Sequence, residues 1–247
     1  MVILDLELMT FFKKDMIVNK INPILFRSMN ETGRAMALIS KDSERTFATY
    51  LGAAVDLSPE DITHGIYKGY DYFYIEGYLV QNREMFEKSM RLAARAGLKV
   101  CLDLASYNVV ADNVDFFKSM ISKYVNILFA NEEEIRSLTD KSPEEGANEI
   151  TELCDIVVIK LGAEGSFCVC DEGIVRIGVR PAKSLDTTGA GDLYAAGFIY
   201  GHMKGLSAEI CGKMGAILAG KVIEMIGAKM DESNWENLRR EIASLEA

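Results

Sequence analysis

From position 72 onward, two kinds of residue pattern alternate along this chain. Short, nearly continuous apolar stretches at 72–75, 100–104, 127–130 and 156–159 have the length of strands buried on both faces. Between them, apolar and small residues recur three and four apart, as at Met85, Phe86, Ser89, Leu92, Ala93 and Ala96, the period of a helix with one buried face. This βαβ repeat predicts a mostly parallel sheet with helices on both faces and ligands at the carboxyl ends of the strands. Runs at 166–170 and 174–179, around a turn at 171–173, predict an antiparallel border. Earlier, residues 35–39 and 45–51 flank a polar turn at 40–44 and predict a hairpin, whereas residues 1–27 show no clear period. The run Ser58-Pro59-Glu60-Asp61 reads as a helix start, with a capping serine, proline at the first position and an acid three residues after the cap.

If the four strands run parallel, the polar residues that end them share one rim. These are Glu76; Asp103 with Ser106, Tyr107 and Asn108; Asn131 with Glu134; and Lys160. Asn131 and Glu134 have the spacing of a capping box, and Glu134 equally suits a magnesium ion held through water. Lys160, with Gly162 and Gly165 after it, reads either as a lysine snorkelling from a hairpin turn or as a point charge for a phosphate. Arg45 opens the second strand of the hairpin, either as a solvated charge or as a cation that swings over a phosphate.

The densest chemistry lies in Asp186-Thr187-Thr188-Gly189-Ala190-Gly191-Asp192, after which Leu193, Ala196, Gly197, Tyr200 and Met203 begin a helix face. A glycine loop feeding a helix N-terminus offers unpaired amides and the positive end of the dipole, so it suits an anion. Asp192 in the first turn would repel a phosphate unless its task is to take a proton from the attacking group. Gly197 is misplaced for a dinucleotide fingerprint, and no P-loop lysine motif occurs.

Composition narrows the choice of partner. A chain of 247 residues with 49% hydrophobic content can bury a large core, and one α/β domain over 1–247 is expected. A net charge of −10 without a basic cluster argues against nucleic acid and anionic membranes. The five cysteines read as buried free thiols, the two histidines stand apart from any second ligand, and no long apolar run or secretory leader is evident. A cytoplasmic protein without zinc is therefore expected.

The 186–192 run resembles the signature of the ribokinase-like (PfkB-type) sugar and nucleoside kinases. In family order, so do residues 44–54 (ERTFATYLGAA), Phe129-Ala130-Asn131-Glu132-Glu133-Glu134 and Lys160-Leu161-Gly162-Ala163-Glu164-Gly165. The likeness is greater to adenosine-kinase-type members than to ribokinase. It implies an ATP-dependent kinase acting on a sugar or nucleoside hydroxyl, with Asp192 as base, Gly189, Ala190 and Gly191 as anion hole, and Arg45 near the phosphates. It also implies nucleotide contacts from Asn131, Lys160, Gly162 and Gly165, Mg2+ arranged through Glu134, and a monovalent cation such as K+ near Asp186, Thr188 and Gly227. Family members begin with a strand carrying a substrate-binding Asp and a Gly-Gly-x-x-x-Asn motif, which have no counterpart here. The expectation is therefore an N-terminally truncated ribokinase-like fold with residues 33–54 as a remnant of the lid. The alternative is an impaired relative that binds only nucleotide or a protein partner, with an open sheet edge favouring a homodimer.

Overall fold

The computed structural model describes residues 2–3, 6–39 and 45–246, with side chains for 10–38 and 46–246. The central sheet has six strands: β5 (Tyr72–Glu76), β6 (Lys99–Asp103), β7 (Ile127–Asn131), β8 (Ile156–Lys160), β9 (Ser166–Cys170) and β10 (Gly173–Ile177). Their spatial order is β10-β9-β8-β7-β6-β5. Pairing from β5 to β8 is parallel, and β9 and β10 join antiparallel, as the two halves of the pattern predict.

Alternation along each strand builds two cores. Val100, Leu102, Leu128, Ala130, Val157 and Ile159 face one side, where α2 (Arg83–Arg95), α3 (Tyr107–Ala111), α4 (Val114–Tyr124), α5 (Glu132–Thr139) and α6 (Pro143–Thr151) supply Phe86, Met90, Val110, Phe117, Ile121, Ile135 and Ile150. Cys101, Ile127, Phe129, Val158 and Cys168 face the other side. They meet Tyr194 and Phe198 of α7 (Ala190–Met203) and Cys211 of α8 (Ala208–Val222). Each large side chain fully buried in this way contributes about 1.5–3 kcal/mol. Helices α7 and α8 cross closely because a Cβ on Gly197 would lie 2.7 Å from the Met214 backbone. Helix packing therefore explains this glycine. A last helix, α9 (Glu232–Ala243), covers α8 through Trp235, Leu238 and Ile242.

Ahead of the sheet, β1 (Val2–Ile3) pairs parallel with β2 (Leu25–Phe26), and α1 (Leu6–Val18) lies between them in sequence. The predicted hairpin is present as β3 (Arg34–Ile39) against β4 (Arg45–Tyr50), antiparallel. Its turn at 40–44 and the side chain of Arg45 lie outside the described residues.

One expectation needs correction. Ser58 precedes only a single 3-10 turn, Pro59–Asp61, in which Asp61 Oδ2 accepts from the Ser58 amide (2.9 Å) and hydroxyl (3.0 Å). Helix α8 ends at Val222; a short run of turns follows, and Gly227 takes φ 79° beyond it. Residues 6–18 are helical without an apolar period because Phe11, Ile17 and Val18 point to solvent.

Candidate active site

The loop from Asp186 to Asp192 is held from below. Asp186 is buried; its Oδ1 accepts from the Thr188 amide (2.8 Å) and hydroxyl (2.6 Å), and its Oδ2 accepts from the Gly227 amide (2.8 Å). The Leu185 amide donates to Ile223 O at 2.7 Å, tying the loop to the end of α8. Gly189 then turns left-handed, φ 80°, where a Cβ would also lie 2.7 Å from that of Ala228, so only glycine fits. Helix α7 opens immediately after it. The Ala190 amide donates to Thr187 O at 3.2 Å, whereas those of Gly189, Gly191 and Asp192 have no backbone acceptor among the described residues. A left-handed residue leading into a helix start makes a nest of N–H groups suited to an anion. Asp192 is exposed beside them.

The sheet brings the other strand-end residues to the same rim. Asn131 and Glu134 form the capping box of α5: Asn131 Oδ1 accepts from the Glu134 amide, and the two Glu134 oxygens accept from Asn131 N and Nδ2, all at 2.8 Å. Both Glu134 oxygens are therefore already committed, and burial, partly countered by Lys160, pushes this carboxyl up to about 7. Gly162 and Gly165, with φ of 55° and 93°, turn β8 into β9, and Leu161 N donates to Gly165 O at 2.8 Å. The hairpin reading of these glycines is thus present in the structure.

Lys160 does not snorkel. Its ammonium turns inward to Asp103 Oδ2 at 2.7 Å, and a Cβ on Gly191 would lie 3.2 Å from Nζ, so the charge sits against the anion loop. Burial would lower its pKa, but Asp103, Glu134 and Asp192 outweigh that and hold it above the ordinary lysine value. Glu76, beside Asp103 on the neighbouring strand, is pushed up to about 7, first by burial and then by the Asp103 charge. The sequence places Glu76 and Asp103 on the rim but assigns them no role; their signal is a carboxylate at the last position of an apolar strand.

Asp192 is exposed at this rim. Two concavities, of about 360 Å³ around His64–Tyr70 and about 520 Å³ between Glu132 and Arg176, do not include Asp192. No helix among the described residues is long and apolar enough to cross a membrane.

Residues 10–235 match the model of the pfkB family carbohydrate kinases. An uncharacterized sugar kinase of Archaeoglobus fulgidus is 29% identical over 208 residues, covering 83% of this chain and 82% of that protein. A nucleoside kinase of Methanocaldococcus jannaschii is 29% identical over 140 residues, 55% of this chain but only 46% of that protein. The structure of adenosine kinase from Sinorhizobium meliloti superposes with a TM-score of 0.90 at 30% identity, over 98% of this chain and 76% of that one.

Proposed function

The chain belongs to the pfkB family of carbohydrate kinases, with a ribokinase-like α/β fold, and from that premise we propose that it transfers the γ-phosphate of ATP to a primary hydroxyl of a sugar or nucleoside. The observation that carries this reading is an exposed carboxylate, Asp192, adjoining backbone amides that have no backbone acceptor among the described residues.

In this reading the amides of Gly189, Gly191 and Asp192 receive the transferring phosphate, and Asp192 accepts the proton of the acceptor hydroxyl as it attacks in line. Phosphoryl transfer is loose, so positioning and charge neutralisation supply most of the acceleration, and a weak base suffices. Lys160 adds a cation against the loop, and the turn from Gly162 to Gly165 lies along the nucleotide. Ala190 acts through its fold, since its amide is spent on Thr187. Arg45 would contribute a second cation from the hairpin. Glu134, each of whose oxygens already accepts from Asn131, would hold Mg2+ only through water on its remaining lone pairs, and the ion would supply charge neutralisation of the phosphates. Asp186, Thr188 and the main chain at Gly227 meet through hydrogen bonds and would border a monovalent cation such as K+.

A panel of sugars and nucleosides in a coupled ATP-consumption assay tests the proposal, alongside calorimetric titration with an ATP analogue. Acceptor-dependent turnover supports it, and failure to bind the analogue contradicts it. The exposure of Asp192 to solvent favours a second reading, a family member that holds nucleotide without turning it over; analogue binding with no turnover on any acceptor would select it.

A further inference from the structure

Asp103 ends β6 with its side chain buried, and it is bonded on both oxygens: Oδ1 accepts from the Ala105 amide (3.1 Å), and Oδ2 accepts from Lys160 Nζ (2.7 Å) and from the Tyr74 hydroxyl (3.4 Å). Ala105 is itself left-handed, φ 65°, an unusual state for alanine, so the loop after β6 wraps around this carboxylate. Lys160 reaches it from β8, passing across β7.

A lysine at the rim of a sheet can extend into water at small cost, yet this one folds back. Stability is a poor reason, because desolvation offsets most of the attraction in a buried ion pair and an apolar pair of similar size would serve the fold as well. A better reason lies above it. Glu76, Glu134 and Asp192 are near enough to act on this region electrostatically, and three carboxylates with no fixed cation would repel a phosphate. The inward lysine places its charge against Gly191, where the phosphate is proposed to land.

Resting on the kinase reading above, we infer that Asp103 is a positioning residue. It holds the Lys160 ammonium against Gly191, so that an incoming phosphate meets a fixed side-chain charge together with the main-chain amides. Preorganised charge of this kind costs no rearrangement at the moment of reaction.

A double-mutant cycle on the full chain tests this, with Asp103→Asn, Lys160→Met and the pair titrated against a non-hydrolysable ATP analogue and against inorganic tripolyphosphate. Each single variant is expected to weaken binding about tenfold, the scale of one charge-assisted hydrogen bond. The pair should be no weaker than Lys160→Met alone, because Asp103 acts through Lys160. Asp103→Glu should recover most of the affinity, which a purely structural role would not produce. Effects that multiply, or Asp103→Asn binding within about twofold of the unmutated chain, overturn the inference.

A second readout needs no folded Asp103 variant. With nitrogen-labelled lysine in the unmutated chain, the Lys160 ammonium signal, assigned by its loss in Lys160→Arg, should shift when the analogue binds; an unmoved signal overturns the inference. None of these readouts requires turnover. A chain that binds the analogue but phosphorylates no acceptor therefore contradicts the kinase reading alone, while the cycle still decides the role of Asp103. A chain that binds neither the analogue nor tripolyphosphate contradicts both.

Discussion

Between residues 10 and 57, Gly52 and Ala53 are the only buried residues among those with described side chains, and Phe11, Val18, Met29, Met36 and Leu38 face outward. In the sheet and the helices packed on it, Phe86, Phe117, Phe129 and Phe198 are fully buried, and two cores sandwich the strands. The contrast separates two halves of the proposed reaction. The anion loop and its lysine stand on close-packed strands and helices and are fixed by the fold itself. The hairpin, expected from the family resemblance to be a remnant of the lid, rests on little packing within the described chain. Nucleotide binding should therefore survive changes in the hairpin that acceptor turnover does not.

The largest break in this comparison should come from Phe129→Ala. Phe129 is fully buried and makes an edge contact with Phe198, ring centroids 5.7 Å apart, so its removal should cost about 3–5 kcal/mol in denaturant unfolding. A loss below about 1 kcal/mol would mean that this core repacks freely. Next in size is Gly197→Ala. Its new methyl would press on the Met214 backbone and should cost about 1–3 kcal/mol by overpacking, while also disturbing the helix that carries Asp192.

Glu76 provides a smaller, pH-dependent effect. Its carboxyl is raised from 4.5 to about 7, so the native state keeps a proton that the unfolded chain has already lost. Stability should therefore fall as pH rises from 4.5 to about 7 and remain lower above that. The group is partly exposed, so the cost is on the order of 1 kcal/mol after allowance for screening. Glu76→Gln should flatten the slope and raise the melting temperature near pH 8; an unchanged slope would contradict the assignment. The smallest effect is expected from Phe47→Ala in the hairpin, within about 0.5 kcal/mol of the unmutated chain. A large loss there would show that the hairpin is packed after all.

The boundaries of β5 to β8 could be read from sequence to within a residue because strands buried on both faces leave continuous apolar runs. Helix α1 left no such trace, since Phe11, Ile17 and Val18 face solvent and no stripe forms. Helix α9 passed unassigned because Leu238 is its one buried residue. At the site, local motifs were legible: the loop from Asp186 to Asp192, the Asn131–Glu134 box and the glycine turn each lie within a few residues. The Asp103–Lys160 pair was not legible, as its partners stand 57 positions apart on strands separated by β7. Chain folding alone brings them together.

The most direct measurement of the central claim is Asp192→Asn assayed on both sides of the comparison, with calorimetric titration of an ATP analogue beside steady-state turnover on the best acceptor. The account predicts unchanged analogue affinity with turnover abolished. Mutant turnover within about tenfold of the unmutated chain, more than the loss of a proton acceptor at the reacting group permits, would contradict it.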